Sequence, residues 1–573
     1  MRTLSLAALI TAATLSATSL SAIAKNTAAG IVANQVGFNS QSPKVAVVPN
    51  VASNDFTLTD KATGRIVYNG KLSAPKSWSE AKETVRLADF SSVQYPGEYT
   101  LSVDGIAQPF AVTIDENVYQ EALSGAIKYY YFNRNSAALQ KEHAGIYHRP
   151  ASHPDTTVYV DASAATPERP VGTVLSLPKG WFDAGDFSKY IVNSSITVHT
   201  LLRALDNHPA LFAKLNLNIP ESNNNIPDLL DEILWNLDWM VSMQDTDGGL
   251  YHKLTAKRFE PVAMPHTQYK PRFVVQKTTA ATLDYAATLA LASRVIAQYE
   301  EQFPGRAEQY RAAALKAWDW AEENPNVLFE QPEGFRTGMY RLDGDDYKDE
   351  WAWARAELFV LTGKRKFLKG YEVANTARTP EWSDVETLGM LALANHAKTP
   401  SSLKQQILDT LKKSADTWVK QAHSSGYGVA MFGRDFRWGS NGVAANKALA
   451  LIDINKLVPN PQYLETAQAL VDYILGRNPN GLSYLTGFGE NTPMHPHHRV
   501  SEVDGIQAPI PGMLAGGPHK GYQDKKECNV KYNVDYDPSI PSKAYFDHWC
   551  SYATNEVAIN WNAALVYVLA ELN

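Results

Sequence analysis

The chain has 573 residues, 45% of them hydrophobic and 20% charged, with a formal net charge of -7. That length exceeds one small core and calls for two or more domains. A negative balance with no basic run excludes nucleic acid as a partner, because phosphate binding needs clustered Lys and Arg.

In chain order, residues 1–24 read as a secretory signal, with a basic start at Arg2, an apolar stretch and the small-x-small site Ala22-Ile23-Ala24. Thr and Ser interrupt the stretch and it is short for a span, which argues against a membrane anchor. The expectation is an exported protein, periplasmic or secreted, cleaved near Ala24 and without membrane segments. Residues 25–114 alternate in short runs, "KVAVV", "FTLTD", "RIVYNG", "GEYTLSV" and "PFAVTI", punctuated by Asn-Gly, Pro-Gly and Asp-Gly. This is the pattern of a small antiparallel β-sandwich. Trp78 is a candidate for touching a sugar chain, with packing as the alternative.

After Asp115 the period lengthens. Ile226, Leu229, Leu230, Ile233, Leu234, Leu237, Met240 and Val241 form the stripe of an amphipathic helix, with Asn225 as cap and Pro227 in the first turn. Similar stretches begin near 118, 187, 278, 305, 349, 365, 384, 401, 440, 460 and 554. Roughly twelve helices follow, with essentially no strand pattern among them. They make residues 115–573 mainly α and fit six hairpins closed into an α/α toroid, or else an irregular helical stack. Two long connections, roughly 134–180 and 500–545, are rich in Pro, Gly, His, Tyr and Asp and read as functional loops. Cys528 and Cys550 are either a disulfide, which export permits, or two buried thiols.

Four clusters carry candidate chemistry. "GWFDAGDFSKY" sets Asp183 and Asp186 around an Ala-Gly turn; two buried carboxylates repel unless something neutralises or uses them, and a plain turn is the alternative. "ATNEVAINWNAALVYVLAEL" places Glu556 in the first turn of the last helix, where the helix field lowers a carboxyl pKa. A general acid there needs burial or a neighbouring carboxylate, for which Asp547 and the Asp183/Asp186 pair are candidates. "PMHPHHRV" offers His495, His497, His498 and Arg499, whose spacing matches no standard zinc site and suits donors to sugar hydroxyls better. "DTDGG", with Asp245 and Asp247, is a fragment of a calcium loop or a plain turn. There is no G-x-S-x-G, P-loop or dinucleotide fingerprint.

"SYLTGFGENTPMHPHHR" and "YFDHWCSYATNEVAINWNA" resemble the two active-site signatures of glycoside hydrolase family 9, and "DAGD" resembles that family's aspartate motif. "NQVGFNSQSPKVAVV" is similar to the start of the immunoglobulin-like domain that precedes many of its catalytic domains. The resemblance implies an (α/α)6 barrel and an inverting glycosidase, with Asp186 as general base, Asp183 holding the water and Glu556 as general acid. It also implies that His497 and Arg499 bind sugar and that Asp547 tunes the site, with no metal or cofactor required. Such chemistry needs two carboxyls about 6.5 to 9.5 Å apart.

"YHRPASHPDTTVYV" lacks the Cys-His pair often found before DAGD in the family's cellulases, and the long loops suggest a pocket. The chain looks closest to exo-acting glucosaminidases and oligosaccharide-cleaving members of marine bacteria. The expected substrate is therefore a short β-1,4-linked glucosamine oligomer cut from its non-reducing end, with Asp155, Asp346, Asp349 or Glu350 facing the C2 ammonium. The alternatives are an endo-β-1,4-glucanase, a cello-oligosaccharide exo-glucosidase and a non-catalytic sugar binder.

Overall fold

The computed structural model describes residues 30–268, 270–342, 347–533 and 536–573. The expected signal at 1–24 and the candidate Asp346 lie outside the described residues. Seven strands build the N-terminal unit: β1 (Val45–Pro49), β2 (Asp55–Asp60), β3 (Ile66–Lys71), β4 (Lys76–Trp78), β5 (Glu83–Asp89), β6 (Gly97–Val103) and β7 (Phe110–Ile114). They form two antiparallel sheets, β1-β5-β4 and β3-β2-β6-β7. Alternation does the work expected of it: Tyr99, Leu101 and Val103 of β6 point inward, and Leu58 pairs with Leu101 in register. Phe38 meets Phe90 edge-on in the core, at 5.3 Å between ring centroids.

Among the described residues, eleven helices of ten residues or more follow. They are α1 (Gln120–Phe132), α2 (Ile191–Asn207), α3 (Asp228–Ser242), α4 (Thr279–Ile296), α5 (Arg306–Glu323), α6 (Lys348–Thr362), α7 (Glu386–Asn395), α8 (Ser401–Ser424), α9 (Ser440–Leu457), α10 (Pro461–Ile474) and α11 (Ile559–Leu572). α2, α4, α6, α7, α9 and α11 pack in that order and α11 returns to α2, which closes the inner ring. α1, α3, α5, α8 and α10 pack outside α11, α2, α4, α7 and α9. The two layers differ as their surroundings require. Every residue of α4 except Arg294 is buried, whereas α8 buries one stripe that includes Ile407, Leu411, Trp418 and Ala422. The arrangement is the (α/α)6 barrel.

Several local expectations change. The helix expected near 365 is only a 3-10 turn, Arg365–Leu368, because Gly363 and Gly370, both at positive φ, leave no room for more. Asn225 does not cap α3; Pro227 occupies the N-cap and Asn225 sits before it in the left-handed region. Strands do occur within the helical unit. β8 (Val158–Val160), β9 (Val174–Leu175), β10 (Lys189–Tyr190), β11 (Lys253–Thr255) and β12 (Arg272–Val274) form a sheet in the order β10-β11-β12-β8-β9. Strands of two or three residues are too short to show alternation.

Trp78 is not a sugar platform. It is 2% exposed and wedged against Tyr427 and Phe436 of the barrel, at 5.1 and 6.0 Å between ring centroids. Glu83 completes that seam by accepting from Lys543 Nζ and Tyr427 Oη, each at 2.5 Å. Cys528 and Cys550 are joined in a disulfide, which ties a turn at 526–531 to the segment just ahead of Glu556. At "DTDGG", Lys277 Nζ lies 2.7 Å from Asp245 and 2.6 Å from Asp247, so a lysine occupies the position between the two carboxylates that the calcium reading gave to a cation.

Candidate active site

Backbone hydrogen bonds weave three distant segments into one floor. His497 N donates to Asn555 O at 2.8 Å, Arg499 N to Gly185 O at 3.1 Å, and Ile559 N to Asp183 O at 3.0 Å. The turn between the aspartates fits only because Gly185 has no side chain: a Cβ there would lie 2.0 Å from the His497 carbonyl oxygen. Glu556 is not in a helical turn. A short helix, Tyr552–Asn555, stops before it, Glu556 itself is extended (φ -67, ψ 157), and α11 starts three residues later. Its carbonyl accepts from Gly516 N at 2.7 Å, which fixes the break.

Asp183, Asp186 and Glu556 share a cavity of about 340 Å³ walled by Tyr190, Phe259, Tyr340, Trp382, Trp438 and Trp561. Asp183 is 2% and Asp186 6% exposed. Asp183 accepts from Tyr340 Oη at 2.6 Å and Asn193 Nδ2 at 2.7 Å; burial nevertheless outweighs these donors and raises its pKa to about 7. Burial also raises Asp186, while the Arg499 charge and the Ser188 donors pull the other way. Glu556 is pushed well above the usual carboxyl range by burial and then by the charges of Asp186 and Asp183. These environments differ: burial and like charge favour the protonated form of Glu556, while Asp186 has the Arg499 charge to favour its ionised form. The like charges on Glu556 come from the aspartate pair rather than from Asp547.

The remaining sequence candidates fall into two groups. His497 lies flat on Trp549, centroids 4.1 Å apart, and its Nδ1 is 2.6 Å from the Trp549 carbonyl. That carbonyl only accepts, so Nδ1 carries the proton; burial lowers the ring pKa to about 4, and Nε2 is left as an acceptor rather than the expected donor. Arg499 lies beneath the DAGD turn, with Nη1 2.8 Å from Gly185 O and Nε 3.2 Å from Glu260 O. Asp547 is a brace for the histidine loop, accepting from Met494 N at 2.7 Å, His495 N at 2.9 Å and Asn555 Nδ2 at 3.0 Å. His498 caps a short helix through Ser501 and His495 is exposed; the described residues contain no group of three His, Cys, Asp or Glu set to hold a metal.

The acids expected to meet an ammonium lie elsewhere. Asp155 is buried between Lys189 Nζ at 2.8 Å and Arg272 Nε at 3.1 Å. Asp349 and Glu350 line a separate cavity of about 1470 Å³. Among the described residues, the long connections at 134–180 and 500–545 supply none of the lining of this cavity, which is walled instead by 338–340, 381–382 and 438–446. Sequence reasoning missed Asn193, Tyr340, Trp382 and Glu381. Trp561 sits in "NEVAINWNA", inside the second signature quoted above, and Trp438 sits in "WGSN".

Residues 119–569 match glycosyl hydrolase family 9 and residues 26–108 match the cellulase N-terminal Ig-like domain. A xyloglucan-specific endo-beta-1,4-glucanase of Bacteroides ovatus, BoGH9A, is 39% identical over 563 residues, covering 94% of this chain and 93% of its own. Endoglucanase D of Acetivibrio thermocellus is 34% identical over 547 residues, covering 94% of this chain and 82% of its own. A solved Bacteroides ovatus GH9 structure superposes with a TM-score of 0.87 at 37% identity, covering 95% of this chain and 98% of that one. The woven motifs, the helical ring and these likenesses lead to one conclusion: the chain is a glycoside hydrolase of family 9 carrying an N-terminal Ig-like domain.

Proposed function

We propose that the enzyme is an endo-acting β-1,4-glucanase that cleaves neutral, gluco-configured backbones with inversion. Asp186 takes a proton from the attacking water, which Asp183 helps to orient. Glu556 gives its proton to the leaving oxygen as the C1–O bond breaks. The water oxygen bonds to C1 from the opposite face, so the new reducing end is α. Trp382, Trp438 and Trp561 supply apolar ring surface for sugar faces, and His497 Nε2 an acceptor for a hydroxyl.

The observation that carries the neutral-substrate reading is the charge state of the cavity wall. Besides the three catalytic carboxyls, the one acid among the described lining residues is Glu381, and Arg437 Nη2 pairs with it at 2.6 Å. Outside the three carboxyls assigned to the reaction, a glucosamine ammonium would find no unpaired carboxylate on the described wall. The names of the relatives also favour the endoglucanase alternative over the glucosaminidase expected from the loops. The test runs carboxymethyl cellulose, xyloglucan and chitosan in parallel. The reading requires an early fall in viscosity on a glucan and no hydrolysis of chitosan. Release of single glucosamine units with little viscosity change would replace it with the exo-glucosaminidase.

Action after export is part of the proposal, supported by the Cys528–Cys550 disulfide, which persists in oxidising compartments. Mass determination of the protein recovered from a secreting host should place its N-terminus after Ala24; an intact N-terminus would argue against export.

A further inference from the structure

The catalytic base is flanked by two carbonyls that are each gripped by a buried guanidinium. Arg499 Nη1 donates to Gly185 O and Arg272 Nη1 donates to Phe187 O, both at 2.8 Å, so the backbone is pinned immediately before and after Asp186. Arg272 belongs to β12 and has no place in the three signatures. It is 5% exposed, and its Nε lies 3.1 Å from Asp155, which is itself 3% exposed. Asp155 also accepts from Lys189 Nζ at 2.8 Å and Asn135 Nδ2 at 3.1 Å. Glu260 joins the two arginines: its carboxylate is 3.7 Å from Arg272 Nη1, and its carbonyl accepts from Arg499 Nε. The loop that delivers Asp155 holds two non-glycine residues in the left-handed region, His153 (φ 45) and Asp155 (φ 48). Such conformations persist where surrounding contacts over-determine them, and they concentrate at functional sites.

We propose that Arg272, oriented by Asp155 and Glu260, is a positioning residue that sets the reach of Asp186 toward the attacking water. The inference rests on the assignment of Asp186 as base. Arg272 does not touch substrate; its fork holds the Phe187 carbonyl while its Nε edge faces Asp155. A lysine there would keep the counter-charge of Asp155 but could not bridge both acceptors in a fixed plane. Small misplacement of a reacting group lowers the rate with little change in binding.

The experiment compares Arg272→Lys and Glu260→Gln with Asp186→Asn and Glu556→Gln on aryl β-cellobiosides of graded leaving-group acidity. Arg272→Lys is expected to lower kcat by about 10- to 100-fold with KM within about twofold. Its deficit should be the same for good and poor leaving groups, like that of Asp186→Asn and unlike that of Glu556→Gln. Glu260→Gln leaves the Arg272–Asp155 pair in place and should show a smaller deficit of the same kind, which carries the test if Arg272→Lys does not fold. Normal kcat in either folded variant, a loss confined to KM, or a deficit that shrinks with good leaving groups overturns the proposal. Near-normal activity of Asp186→Asn would instead overturn the base assignment, so the two failures are distinct.

Discussion

Replacing Tyr340 by Phe removes one hydroxyl and leaves the ring contacts with Trp382 and Tyr190 in place, at 4.9 and 4.8 Å between centroids. The lost bond is the 2.6 Å donation to Asp183. A hydrogen bond to a charged group contributes about 1.5–3 kcal/mol, and 1.36 kcal/mol is about one pKa unit. Asp183, at about 7 in the intact site, should therefore rise by about one to two units in the variant. At neutral pH its ionised fraction falls from about half to roughly 1–10%, so kcat/KM should drop about 5- to 50-fold. The sign follows from the direction of the shift: the variant is most impaired below its new pKa, and the deficit narrows as pH rises. The assay is kcat/KM from about pH 5 to 9 on a soluble glucan. A deficit of constant size across that range would show that Tyr340 does not act through the ionisation of Asp183.

Glu556→Gln should lose at least about a hundredfold in kcat on an unactivated glucan and recover much of it with a dinitrophenyl leaving group, whereas Asp186→Asn should not recover. Equal recovery in both would contradict the separate acid and base roles. Proton NMR in the first minutes of hydrolysis should show the α anomer, and an initial β product would rule out inversion. Trp78→Ala should cost about 3–5 kcal/mol, seen as a separate early step in urea unfolding as the sandwich loosens from the barrel; a loss under about 1 kcal/mol would mean the seam is dispensable. Asp231 is raised to about 7 by burial, so its native form holds a proton that the unfolded chain releases near pH 4. Wild-type stability contributed by this group is present below about pH 4 and falls as pH rises toward 7. Asp231→Asn should accordingly raise Tm at pH 8 by about 2 °C, after allowing for its partial exposure, and not at pH 4; an equal change at both would refute the assignment.

Long elements were legible because their burial is periodic. α3 carries its stripe from Leu229 to Met240, and β6 alternates from Tyr99 to Val103, so both could be found from residue spacing. The three carboxyls that share the cavity were legible through their motifs, but their setting was not. Glu556 looked helical because Val557, Ala558 and Ile559 are all buried across the break, and apolar spacing does not distinguish an extended link from a helical turn. Tyr340 lies in "RTGMYRLDG", a stretch with no period, and reaches Asp183 only through the tertiary fold. Asp155 and Asp349 read alike as unassigned acids. Only the placement of Arg272 and Lys189 shows that the first is a buried counter-ion. Loop length misled most: among the described residues the walls come from the connections that hold 338–340, 381–382 and 438–439 and from the first turns of α9 and α11, and not from the connections at 134–180 and 500–545.

The inner ring closes when α11 meets α2, and the same meeting brings Glu556 to the aspartate turn through the Ile559 N to Asp183 O bond. Hydrolysis is thus a property of the closed circle and not of any arc of it. Pairing across so much intervening chain carries a large loop-closure entropy and is slow compared with helix formation. During refolding, far-ultraviolet ellipticity should recover while the chain is still catalytically silent. Turnover would appear only with the last step, which makes the reaction itself a reporter of ring closure.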